Sequence, residues 1–182
     1  ATATWTIFPT DAAAGTAAPG QSVPYLVSGN IHHVQNGTPF DTPIAPVPIQ
    51  VFPLPELHLD YYLQTTVYSD NPFTPGVFEL GEPFSLGLRV RNEGVGVAKQ
   101  FTITSAQPVF LENEAGLVVG IKILGVQVGT QPASPSLKVS FGDIGPNTTS
   151  VARWLMTSTL LGHFADLKVG FTHVTAKGQT NV

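Results

Sequence analysis

The sequence predicts an all-β protein: an antiparallel β-sandwich with a partial or smaller β module ahead of it. Three observations lead there. Short runs rich in Val, Ile, Thr, Phe and Tyr alternate apolar with polar residues and recur roughly every dozen positions, the spacing of sandwich strands. Eighteen Gly and 16 Pro punctuate those runs with turns. No stretch repeats its apolar residues with a helical period. Hydrophobic residues make up 42% of the 182 positions, so there is apolar area to bury, and the Gly and Pro content does not signal disorder.

Residues 3–8, ATWTIF, alternate and carry β-formers, which predicts a strand. The small residues of 11–20 read as a loop. Residues 22–34 read as a strand bent near Gly29, and 35–40, QNGTPF, as a turn. Six prolines follow, at 39, 43, 46, 48, 53 and 55. Proline cannot donate to a ladder, so residues 47–52 predict an edge strand or the last strand of a first module. Residues 53–57, PLPEL, read as a stiff hinge, which places a module boundary near Leu54 and divides the chain into 1–54 and 55–182. About three strands before the hinge are few for a closed sandwich, so the first module is expected to be completed by a neighbouring chain or repeat through strand addition.

After the hinge the alternation is cleaner. Residues 57–67 predict a strand with Leu57, Leu59 and Tyr61 on one face, and 69–83 a long turn-rich loop. In 84–92, Leu86, Leu88 and Val90 point one way, with Arg89 and Arg91 opposite. Residues 99–105 put Phe101 and Ile103 inward, with Thr102 and Thr104 outward. These two runs read as a hairpin-like unit. Five more strands are predicted in 108–113, 116–128, 136–144, 149–158 and 165–174, with one short helical turn near 158–164.

Charge and cysteine narrow the function classes. Charged residues are 11% of the chain, against about 25% in ordinary domains. Eight scattered Lys and Arg with net charge −4 give no nucleic-acid footprint. No apolar run is long enough to span a bilayer as a helix, and no basic amphipathic helix is present. Cysteine is absent, so neither disulfides nor Cys-rich zinc sites hold the fold. The chain begins at Ala1 with no signal peptide, as a mature product or an excerpt would.

Residues 83–105, PFSLGLRVRNEGVGVAKQFTITS, resemble the prokaryotic adhesion modules related to the CARDB family. In those Ig-like sandwiches an N-x-G-x-G-x-A turn joins two core strands. Asn92, Gly94, Gly96 and Ala98 occupy its positions here. The order of the remaining segments looks like a tandem repeat unit of very large secreted and cell-surface proteins. The resemblance implies structure and adhesion rather than catalysis, and it carries over no catalytic residue. The residues also read as a turn on their own. Asn92 can bond a tight loop, Gly94 and Gly96 permit positive φ, and Ala98 is small enough for the chain to re-enter a sheet.

Several constellations bear residues that could carry chemistry. Asp60, Asp70 and Asn71 flank an oxygen-rich loop that could hold calcium, although the EF-hand spacing is absent; an Asx-turn before Pro72 is the plainer reading. His32 and His33 face opposite ways on a strand, and His58, His163 and His173 have no metal-ligand spacing. His173 shares its face with Val169 and Phe171 and reads as a half-buried structural histidine. His163 near Asp166 lacks a nucleophile motif, and Glu112 with Glu114 reads as a solvated strand pair. Asn36-Gly37-Thr38 and Asn147-Thr148-Thr149 are sequons in predicted turns, open to glycosylation in a host that performs it. Among Trp5, Tyr25, Tyr61, Tyr62 and Trp154, Tyr62 is the best exposed sugar platform and Trp154 reads as core, on a strand covered on both faces.

The expectation is a non-enzymatic, extracellular or cell-surface structural module. Its partners are copies of itself or neighbouring repeats, met end to end or edge to edge, as in a filament. No cofactor is expected beyond the calcium considered above, and neither nucleic acid nor membrane insertion. The alternative is an accessory carbohydrate-binding module of a secreted enzyme, with glycans as ligand.

Overall fold

The computed structural model describes residues 4–15, 17–110, 117, 119–174 and 180–181. The fold is an all-β, antiparallel sandwich. Strands β1 (Val23–Gln35) and β2 (Thr38–Val51) form a two-stranded arm. The first five-stranded sheet runs β3 (Leu57–Leu63), β5 (Phe84–Asn92), β10 (Thr148–Ser158), β7 (Ile121–Val128), β8 (Gln131–Ala133). The second runs β12 (Thr180–Asn181), β11 (Gly162–Val174), β6 (Ala98–Phe110), β9 (Val139–Ile144), and β4 (Thr66–Val67) pairs with the start of β11.

The period-2 pattern builds the core. Leu86, Leu88 and Val90 of β5 face Phe101 and Ile103 of β6, all fully buried. Trp154 and Met156 of the central strand β10 fill the middle, and the Trp154 indole N–H donates to the Ser136 carbonyl at 2.9 Å. Each large side chain buried this way contributes about 1.5–3 kcal/mol, which is how a chain without disulfides holds two sheets together. Leu57, Leu59 and Tyr61 line β3 on the same side, half-buried against that core.

Four sequence readings are corrected. Residues 4–8 form no strand and pair with none of the sheets among the described residues. β5 and β6 are not a hairpin: they belong to opposite sheets, and the turn between them arches across the sandwich. Residues 158–164 are not a helical turn. Their polar groups are used laterally, with Leu161 N–H donating to Asp70 O and Gly162 pairing with Val67. β10 is central in its sheet, yet its outer face is open and leaves Val151 and Leu155 exposed.

The arm bends where the sequence predicts, but its turn is only residues 36–37. Residues 38–51 form one strand through four prolines, where the sequence predicts a turn up to residue 40 and a strand over 47–52. Its ladder shifts register between Val27 and Gly29, where Ala45 and Pro46 of β2 oppose Ser28 alone. Asn36 and Gly37 close it with φ of 52° and 80°, the positive pair that a two-residue hairpin turn needs. Thirteen residues of strand make the arm about 40 Å long. Among the described residues it pairs with no strand of either sandwich sheet.

Candidate functional site

The turn motif builds a joint. Asn92 ends β5 and is 1% exposed. Its Oδ1 accepts from Glu56 N–H and Gly94 N–H, both at 3.1 Å. Its Nδ2 donates to Gly96 O at 2.7 Å and to Ile144 O and Gly145 O at 3.1 Å. One side chain thus ties β5, the turn, the segment after the arm and the end of β9. Neither glycine takes the positive φ that the sequence suggests; close approach is what requires them. A Cβ on Gly96 would sit 2.2 Å from Pro53 O, and one on Gly94 2.4 Å from Glu56 N. Gly96 N–H also donates to Leu54 O, and Gly20 N–H to Val95 O. Both legs of the arm are therefore bonded to this one turn.

The outer face of the first sheet carries a polar row. Arg89 Nε donates to Asp60 Oδ2 at 3.0 Å, Arg91 Nε lies 3.4 Å from the same oxygen, and Arg91 also pairs with Glu93. His58 Nε2 lies 3.5 Å from Glu56 and 3.4 Å from Glu93. The Arg89 hydrogen bond, above all, holds the Asp60 carboxyl below its ordinary range. Exposed pairs of this kind are screened by water, so the row fixes side-chain directions more than it stabilises the fold.

Beside the row runs a groove. Gly87 faces outward between Tyr62 and Arg153, and Gly125 faces outward beside Leu155. The missing side chains leave two open depressions of about 500 and 240 Å³ that share Arg153. Tyr62, Gln64 and Ser85 line the larger; Gln127 and Pro132 line the smaller. Tyr62 has Arg89 over its ring, 5.7 Å from the centroid. An exposed aromatic, a guanidinium and an amide along a shallow trough are the groups that stack on and hydrogen-bond a sugar. Sequence reasoning singled out Tyr62 and missed Arg153 and Gln64. The available signal was the pair of glycines at outward positions within otherwise regular strands.

The remaining sequence candidates fall as follows. Asp60 lies in the polar row on β3. Asp70 Oδ1 accepts from Glu79 N–H, and Asn71 Oδ1 accepts from Phe73 N–H as an Asx-turn across Pro72. Among the described residues no group of three or more His, Asp or Glu converges for a metal. His32 bonds Asp41 and His33 stacks on Phe40, on opposite faces of the arm. His163 Nδ1 meets Thr66 Oγ1 at 3.1 Å. His173 is half-buried, with an Nδ1 that has no partner among the described residues. Glu112 and Glu114 lie outside the described residues, as does the side chain of Asp166. Both sequon asparagines, Asn36 and Asn147, are exposed in turns with positive φ. Trp154 is core, Trp5 and Tyr25 are exposed, and the Tyr25 hydroxyl donates to Ala13 O.

The arm is uncovered along its length. Leu26, Ile31, Val34, Phe40 and Val47 are all exposed along it. A two-stranded ribbon is marginal by itself in water, and natural sheets cover or pair such apolar edges. Family models, curated proteins and solved structures contain no match to this chain.

Proposed function

We propose that this protein is a non-enzymatic structural module of an extracellular or cell-surface assembly, joined to copies of itself or to neighbouring repeats through the edge of its arm. The single observation that carries the reading is the arm: a long two-stranded ribbon, anchored at its base to a rigid sandwich, with its apolar side chains left open to water. Such a ribbon gains stability only by acquiring more strands or a cover. The low charge of the chain offers little repulsion against a like neighbour. Amide exchange across a concentration series tests it. Residues 23–35 and 38–51 exchange fast in dilute solution and become protected as sedimentation shows larger species. A chain that stays monomeric at high concentration, with the arm already protected, overturns the reading.

The outer groove favours a second reading, a glycan-binding module, on the strength of Tyr62, Arg153 and Gln64 around Gly87. A glycan array with wild type and Tyr62→Ala separates the two. Binding that Tyr62→Ala abolishes supports the groove, and an array without signal removes it.

A further inference from the structure

We infer that one particular edge of the arm, the free edge of β1, is the assembly edge, and that its partner is β1 of a second copy, antiparallel about Asn30. This rests on the self-assembly reading above and adds the edge, the partner and the register.

The prolines decide which edge is open. In the ladder Pro39 pairs with Val34, Pro43 with Asn30 and Pro48 with Leu26. These three pairs share one phase of the alternation, and Pro24 of β1, opposite Gln50, shares it too. Proline has no N–H, so this is the phase whose backbone groups point away from the partner strand. On β2 the outward donors at 39, 43 and 48 are therefore missing, leaving those of Asp41 and Gln50, with Pro46 in the bulge between them. That edge is closed to strand addition. On β1 the same phase turns the N–H and C=O groups of Leu26, Asn30, His32 and Val34 outward. Apart from Pro24 at its base, β1 has none of the usual protections: it is 13 residues long and has no Lys, Arg, Asp or Glu.

The register follows from symmetry. A two-fold axis through paired Asn30 residues sets Leu26 opposite Val34 and Ser28 opposite His32. Leu26 and Val34, 73% and 70% exposed, thereby cover each other. No charged side chain of β1 meets its own copy, although the chain as a whole carries −4. The product is a four-stranded sheet, past the three-strand threshold for independent stability. One face of it is built from Tyr25, Val27, Ile31, Ile44, Val47 and Ile49 of each copy. An interface of this kind is isologous, as in most homodimers.

The test uses the full chain, in which an introduced cysteine is the only one. A nitroxide at position 30 shows strong dipolar broadening on association. One at position 26 reports a partner about 27 Å away, eight residues along the ladder. Asn30→Pro removes an outward N–H and leaves the β1–β2 ladder intact. It weakens association at least tenfold while the thermal midpoint of the sandwich stays put. Gln50→Pro, the same change on the closed edge, leaves association unaltered, and so does Ile7→Pro, which would spoil residues 4–8 as an added strand. Association that survives Asn30→Pro, or labels at 26 that lie close together, overturns the β1 edge and leaves the assembly reading standing. Loss of association with Ile7→Pro makes residues 4–8 the occupant and likewise overturns it. A wild-type chain monomeric at every concentration overturns both.

Discussion

At the scale of residues, Asn92 does what no apolar residue could. It satisfies two backbone N–H groups and three carbonyls from a side chain that is almost wholly buried. Asn92→Ala leaves those groups unpaired, and each buried orphan costs about 1–3 kcal/mol. The expected loss is about 3 kcal/mol or more in chemical denaturation. Tyr61 is the opposite case. Its hydroxyl is buried with no partner among the described residues, and burial pushes its pKa up. Tyr61→Phe is expected to stabilise the fold by about 1 kcal/mol, the desolvation penalty relieved. The pH dependence has a definite sign. Because the folded pKa is raised, this group's contribution is intact below the unfolded value of about 10 and is lost as pH climbs above it. Wild type therefore loses stability above about pH 10 faster than Tyr61→Phe does, which denaturation at pH 9 and pH 11 measures.

At the scale of elements, alternation made most strands legible. The inward sets Leu86/Leu88/Val90 and Phe101/Ile103 are buried as the pattern requires. What alternation cannot say is which sheet a strand joins. β5 and β6 look like a hairpin in sequence because a short glycine-rich turn separates them. Gly94 and Gly96 are there for close packing against residues 53–56, and the chain crosses to the other sheet. Residues 4–8 failed for a related reason: propensity marks a segment that can be a strand, and only a neighbouring edge makes it one. The groove was half legible, since Tyr62 shows itself by exposure but Arg153 comes beside it only through the pairing of β10 with β5. The turn gives a paired prediction. Gly96→Ala forces a Cβ into the Pro53 carbonyl and costs about 3 kcal/mol as overpacking. Gly125→Ala meets nothing within 4 Å and lies in a strand, so it raises stability by about 0.5 kcal/mol. Thermal melts of the two variants read opposite signs.

At the scale of the molecule, composition foretold the all-β architecture, and the absence of cysteine is met by a core drawn from both sheets. The sequence divides the chain at Leu54. The structure shows what stands at that place: Leu54 O accepts from Gly96 N–H, and Glu56 O accepts from Glu93 N–H. The prolines before the hinge point to an edge strand or the last strand of a first module, and in the ladder the phase shared by Pro39, Pro43 and Pro48 is what distinguishes one side of the arm from the other.

The two legs of the arm meet the sandwich at the same turn, through Gly20 with Val95 and Leu54 with Gly96. In mechanical terms this is a single rivet. Tension applied to the arm reaches residues 92–96 through both legs, beside the covalent path from β2 through residues 52–56 into β3. Asn92, which bonds β5 and the end of β9 together, then spreads that load across both layers. Pulled through a handle attached at Asn36, the molecule is expected to yield first by release of this turn. In single-molecule stretching, Asn92→Ala lowers the force of the first rupture and leaves the later unravelling of the sandwich strands at its original spacing. A first rupture unchanged in force places the rivet elsewhere.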